Sequence, residues 1–484
     1  MKSKIKFIII AAVILLALGG VTAFLLLTSP AEEYEDAADE ETVAESSLIY
    51  DKDPADIEIL EITNEYGSYK IKRVTSGDYS MWTIVDYILA PISDTFINNA
   101  LNGAGTLTAQ KTVMENAEDM SIYGLDEPSA EYTVTFDDSA KTTYTVKIGD
   151  KVPASSVYSY MSIGDENTVY TVKDSAVAFA KENSRNCVNK VVFTQKTAED
   201  ENDTTDYSLV NKLTVSRKDL DYDIVINYDT RLDDENIMVS NSSNYRMSEP
   251  VVLDINPDKG SDVMSGMFGL TASDFAAIRP EEDDLAQYGL DDPQLVVTAD
   301  TKSGEFTLKI GNKAENGGYY GMACDIDMVY IFDEATLPWL TVMPLDITTT
   351  MITSHYIYGI DSISIKADGV DVKFDIKGSG ADDFGVESDG KELDADAFKT
   401  LYQFILRAPS EQLYFDEVSG TPAAAIEILA EDGDDTIEFY NIGDRRTVIV
   451  LNGKPSFTCT TAYVERLAQN VQKYLNGEEI ITSW

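Results

Sequence analysis

Ile122-Tyr-Gly-Leu-Asp-Glu-Pro128 recurs as Gln287-Tyr-Gly-Leu-Asp-Asp-Pro293, and each copy runs straight into alternating apolar and polar residues, Ala130-Glu-Tyr-Thr-Val-Thr-Phe136 and Leu295-Val-Val-Thr-Ala-Asp300. The string has the physics of a helix end. After Tyr123 and Tyr288, Gly124 and Gly289 supply a left-handed residue, Leu125 and Leu290 can pack back on the last turn, and Pro128 and Pro293 keep the helix from resuming. Only Asp126 and Asp291 have no place in that scheme. The period-2 alternation that follows predicts a strand. One helix stop therefore feeds one strand, twice.

Working outward, the two copies stay in step. Tyr144-Thr-Val-Lys-Ile-Gly149 matches Phe306-Thr-Leu-Lys-Ile-Gly311, and Val169-Tyr-Thr-Val172 matches Val329-Tyr-Ile-Phe332, each followed by a short segment with helical features. A more degenerate third copy reads Gly420-Thr-Pro-Ala-Ala-Ala-Ile426, Ile437-Glu-Phe-Tyr-Asn-Ile-Gly443, Ser456-Phe-Thr-Cys459 and a helical stretch from Tyr463 to Leu475. Pro128 to Gly149, Pro293 to Gly311 and Pro422 to Gly443 span 21, 18 and 21 residues. Upstream of each copy stand a hairpin pattern (57–74, 213–228, 363–376) and a helix pattern (93–101, 260–268, 395–406). The expected fold class is α+β: tandem units of hairpin, helix, meander and helix, with antiparallel sheets and short helices. Their expected bounds are 55–190, 207–345 and 358–484.

The N-terminus has a different character. Phe7 to Leu27 is an uncharged run of 21 residues, long enough as a helix to cross a hydrocarbon core of ~30 Å. Lys2, Lys4 and Lys6 precede it, and every Asp and Glu in the chain follows it. The positive-inside rule then predicts a cytoplasmic tail at 1–6, a single transmembrane helix at 7–27 and an extracytoplasmic remainder at the cell membrane. A cleavable signal peptide has a shorter apolar region of ~7–15 residues and an A-x-A-like site, which this run lacks. Residues 28–54 are acidic and poor in large apolar side chains, as in a solvated linker.

Thirty-seven Lys and Arg against 85 Asp and Glu leave a net charge of −48 over 484 residues. Such acidity repels phosphate backbones, so nucleic acid is excluded as a partner. One histidine and three scattered cysteines, Cys187, Cys324 and Cys459, leave no ligand set for zinc, haem or an iron–sulfur cluster. The cysteines are expected as buried small apolar residues, without a disulfide. His355 has no G-x-S-x-G elbow to serve. Ser388-Asp-Gly-Lys391 matches S-x-x-K only in letters, because Asp-Gly is a turn dipeptide. The acidic stretches Asp51–Asp56 and Glu431–Asp435 lack the spacing of a calcium loop and read as turns. No phosphate-binding loop or dinucleotide fingerprint occurs, so no catalytic residue, metal or cofactor is expected.

The apolar N-terminal run, Trp82-Thr-Ile-Val85 before a helix pattern, and the repeated Y-G-L-D-x-P with strands ending in Ile-Gly together resemble the DUF4340 family of bacterial membrane-anchored proteins. Its members resemble one another in being encoded near ABC-type transport systems, including relatives of gliding-motility transporters. The resemblance implies a non-enzymatic accessory with an ABC permease or another membrane protein as partner. An envelope module that binds glycan or peptide is the second reading, and a cell-wall enzyme the third.

Overall fold

The computed structural model describes residues 46–484 apart from 77, 78, 89, 236, 240–242 and 316. Strands dominate it. The second unit shows the plan, with nine strands in chain order: Val210–Arg217, Ile224–Tyr228, Tyr245–Glu249, Leu253–Asp254, Asp274–Ile278, Leu295–Thr301, Gly304–Lys313, Tyr319–Ala323 and Met328–Phe332. Numbered from 1 to 9 within the unit, they lie in the spatial order 4-3-2-1-6-7-8-9-5, all antiparallel. The third unit, from Ile360–Ala367 to Lys454–Thr460, has the same order. The first, from Ile57–Asn64 to Val169–Lys173, has it too, lacking only strand 4. Ser47–Asp51 pairs separately with Thr106–Ala109.

Strands 1 and 6 form the seam of each sheet; strand 6 buries every second side chain toward the core, and strand 1 does so after a bulge near its start. In unit 1 the inward residues of strand 6 are Ala130, Tyr132, Val134 and Phe136, all fully buried. One longer helix follows the first strands of each unit, and a side chain caps each: Ser93 before Asp94–Gly105, Asn256 before Pro257–Ser265 and Asp394 before Ala395–Leu406. The second helix starts ahead of the expected 260–268 because Asn256 caps it and Pro257 takes its first turn. Strand 5 then returns to the far edge beside strand 9.

The α+β expectation is corrected here, because 41% of the structure is strand and 22% helix, in four antiparallel sheets. The physical reason lies in the stop signal. A left-handed glycine after a tyrosine ends a turn of any length, and here it ends the three-residue 3-10 turn Ser121–Tyr123 and the four-residue helix Leu285–Tyr288. The segments after strand 9 in units 1 and 2 are likewise single turns, and Thr461–Leu475 alone is long. The expected transmembrane helix at 7–27 lies outside the described residues. Among those described, no helix is long and apolar enough to cross a membrane.

The two Y-G-L-D-x-P strings lock the meanders in place. Gly124 and Gly289 have φ of 67° and 69°, and the Leu125 and Leu290 amides donate back to Met120 and Leu285 at 3.1 and 3.0 Å. Strand 6 then leaves, and strand 7 comes back to the cap. Ala130 pairs with Ile148 and Leu295 with Ile310, so Gly149 and Gly311 arrive beside the turn they started from. A Cβ on either glycine would stand 2.1 Å from the Tyr123 or Tyr288 carbonyl oxygen. Only glycine fits. The shorter spacing in unit 2 is taken up in the hairpin, which joins Thr301 to Gly304 directly.

Unit 3 has no such cap. Its Ala424 pairs with Phe439, which puts Tyr440 where the other units have their glycine. Gly443 serves elsewhere, in the turn to the next strand, with φ of 92° and open space for 4 Å around the place a Cβ would take. Gly149→Ala and Gly311→Ala should each cost about 1–3 kcal/mol through overpacking against backbone, read as lowered thermal midpoints. Gly443→Ala should cost only the ~1–2 kcal/mol of a left-handed backbone.

Candidate functional site

His355 lies between strand 9 of unit 2 and strand 1 of unit 3, where an isolated bridge pairs it with Val239. The Tyr402 hydroxyl donates to its carbonyl at 2.6 Å. Its ring enters a cleft of about 330 Å³ between the two units. There Nδ1 stands 2.5 Å from Asp432 Oδ1, and Nε2 stands 2.9 Å from Asp435 Oδ2 without an aligned hydrogen bond. Asp432 lies in the turn between strands 6 and 7 of unit 3, Ala424–Ala430 and Asp435–Gly443, which holds Gly433 with φ of 121°, and Asp435 is the first residue of strand 7. The ring side chain is 4% exposed and that of Asp432 is 2% exposed.

The network continues into unit 2. Arg231 donates through Nη1 to Asp432 Oδ2 at 2.8 Å and through Nη2 to Asp229 Oδ2 at 2.7 Å, with Nε 2.9 Å from Asp229 Oδ1. Asp229 also caps the turn Thr230–Asp233 that carries Arg231. On the other side, Thr353 and Asn452 donate to the two oxygens of Asp435 at 2.7 and 2.9 Å. A continuous chain of charge-assisted bonds therefore joins unit 2 to unit 3.

Burial opposes charge on the ring, yet Asp432 and Asp435 outweigh it and push His355 up to about 9. Burial likewise opposes ionisation of Asp435, yet His355, Asn452 and Thr353 hold it well below the usual carboxylate range. A histidinium with both nitrogens against carboxylates has no lone pair to offer. It cannot take a proton from a substrate or ligate a metal. Among the described residues no group of three or more His, Cys, Asp or Glu could hold a metal ion. The arrangement is an electrostatic clasp.

Other residues singled out by sequence fall elsewhere. Tyr123, Gly124, Leu125, Asp126 and Pro128 sit at the cap of unit 1, and Tyr288, Gly289, Leu290, Asp291 and Pro293 at that of unit 2. Leu125 and Leu290 are buried, whereas Asp126 and Asp291 face solvent. Tyr123 packs edge-on against Tyr160 and Tyr288 against Tyr320, with centroids 5.0 and 4.9 Å apart. None of these residues is in the cleft. Asp389 and Gly390, both left-handed, make the hairpin turn of Ser388–Lys391. The three cysteines are free; Cys187 and Cys459 are buried and Cys324 is half-buried.

The model of a family described as a domain of unknown function, DUF4340, matches residues 82–242 and again 245–414. The chain belongs to the DUF4340 family. No curated protein and no solved structure matches it. Both DUF4340 matches begin in strand 3 of a unit, in Tyr79–Ile84 and in Tyr245–Glu249. The family repeat is thus offset from the sheet, and the meander of unit 3 lies beyond it.

Sequence reasoning treated His355 and the Glu431–Asp435 turn as separate features and passed over Asp229 and Arg231. The clasp joins positions 77 and 201 residues apart, a separation that no local pattern reports. His355→Ala should leave two buried carboxylates short of a cation and cost about 3–5 kcal/mol. The wild-type clasp should also titrate. A raised histidine pKa means that its contribution is complete below pH ~6.5 and lost as pH rises through about 9. Thermal midpoints followed from pH 6 to 10 should therefore fall across that window in the wild type and stay flatter in His355→Ala.

Proposed function

We propose that this DUF4340 protein is a non-enzymatic accessory of an ABC-type transport system, held at the cell membrane by the apolar run 7–27 with its sheets on the extracytoplasmic side. The observation that carries the non-enzymatic reading is the state of His355. The chain's one imidazole lies between two carboxylates that draw its pKa up, and it joins two units. A histidine so paired is not free to act as a general base.

Three further features support the reading. The charge asymmetry about residues 7–27 favours a cytoplasmic N-terminus. The chain carries no phosphate-binding loop, so energy for transport would come from a partner. Family resemblance supplies the transport context and points to a permease as that partner.

In-cell crosslinking followed by mass spectrometry of the membrane fraction tests it. Crosslinks between the described units and an ABC permease, lost when residues 7–27 are replaced by a cleavable signal peptide, are the expected result. Recovery of the protein alone from gently solubilised membranes would count against the partner.

A further inference from the structure

A large groove lies far along the chain from the clasp, in unit 1. It encloses about 720 Å³ between the helix Asp94–Gly105 and the turns Asp174–Lys181. Its chemistry is unusual for this protein. A quarter of the chain is charged, yet among the twelve residues lining this groove Glu182 is the single charged one.

Hydroxyls and amides replace the charges. Thr95, Asn99 and Asn102 follow one another at helical spacing along one wall, and Ser175 faces them from the other. None of the four side chains makes a hydrogen bond to another described residue, so all their donors and acceptors are open to a ligand. Half-buried Phe96 adds apolar surface, while the Phe179 ring is buried in the core of unit 1 and tilted against Tyr132. Phe179 lies against the helix because position 103 is glycine, where a Cβ would stand 2.5 Å from its ring.

This is a set that pairs with vicinal hydroxyls. A carboxamide donates and accepts side by side, and a ring face covers the apolar face of a sugar. A peptide is less well served. A peptide that binds by adding to a strand edge finds none here, since both walls are helical. Anionic ligands meet a chain of net charge −48 and find no cation in the groove. Unit 2 has a smaller groove of about 330 Å³ beside its corresponding helix Pro257–Ser265, and its lining, which includes Ser243, Asn244 and Ser261, carries no charge at all.

We propose that the groove of unit 1 binds a short neutral oligosaccharide, with Asn99 and Asn102 as the main hydrogen-bonding residues. This does not depend on the transport reading. The test is titration calorimetry on the full chain in nanodiscs, since glycoside detergents would compete. The probes are chitotetraose, cellotetraose and maltotetraose. Saturable binding of at least one is expected, weakened about tenfold or more in Asn99→Ala/Asn102→Ala. The thermal midpoint of that variant should not fall, because both side chains are exposed and alanine is the better helix former. Thr95→Val/Ser175→Ala provides a second, independent loss of affinity. No saturation by any probe up to ~10 mM, or equal affinity in both double variants and wild type, would overturn the proposal.

Discussion

Backbone against backbone, without a side chain between, is the contact on which units 1 and 2 are organised. The carbonyl of Tyr123 occupies the space that a Cβ on residue 149 would need, and Tyr288 stands in the same relation to residue 311. That contact closes a loop of cause. The cap directs strand 6 into the seam beside strand 1, strand 6 sets the register of strand 7, and strand 7 brings its glycine back to the cap. Since a slip of one residue would turn every core side chain to the wrong face, a contact that accepts only glycine is a strict guide to register. Asp150 and Asn312 complete it, lying where a Cβ on Gly124 or Gly289 would be.

The units are joined by different means. Units 2 and 3 share one hydrophobic core, which also takes in Ala90, Val188 and Val192 at the edge of unit 1, whereas most of unit 1 has its own, from Tyr50 to Cys187. Between units 1 and 2 the junction is local: Arg185 bonds Asp274 at 2.9 Å and lies 4.0 Å over the Phe275 ring, which Tyr87 meets edge-on. Between units 2 and 3 the clasp stands at the rim of a common core. Buried ion pairs often add little net stability, because desolvation offsets much of their attraction. Their value is orientation. Apolar surfaces can slide over one another, but a carboxylate held by both Arg231 and His355 fixes one angle between the sheets.

Much of this plan was legible because its signals are local. The turn glycines, the period-2 strands and the helix caps each lie within a few residues, and the repeats multiply them. What the sequence misjudged was proportion. The stop at Gly124 resembles the end of any helix, and nothing in Y-G-L-D-x-P tells whether three or twelve residues precede it. The helices expected at 93–101, 260–268, 395–406 and 463–475 are present at close to those bounds, but the segments before each Y-G-L-D-x-P string and after strand 9 of units 1 and 2 are single turns, and an α+β class was expected where sheet prevails. The clasp was illegible for the opposite reason, since its members meet only through the packing of two units.

Pro422 and Gly443 show how a true repeat can be matched at a false position. Their spacing of 21 residues equals that of Pro128 and Gly149, yet pairing makes Tyr440 the equivalent of Gly149. The requirement for glycine comes from the cap carbonyl, and unit 3 lacks the cap, with Ser419-Gly420-Thr421 in its place. Once the carbonyl is absent, a side chain as large as tyrosine is allowed there. The Ile-Gly pair and the Y-G-L-D string are thus two halves of one contact. Either half alone, found elsewhere at a suitable spacing, is a turn glycine and nothing more.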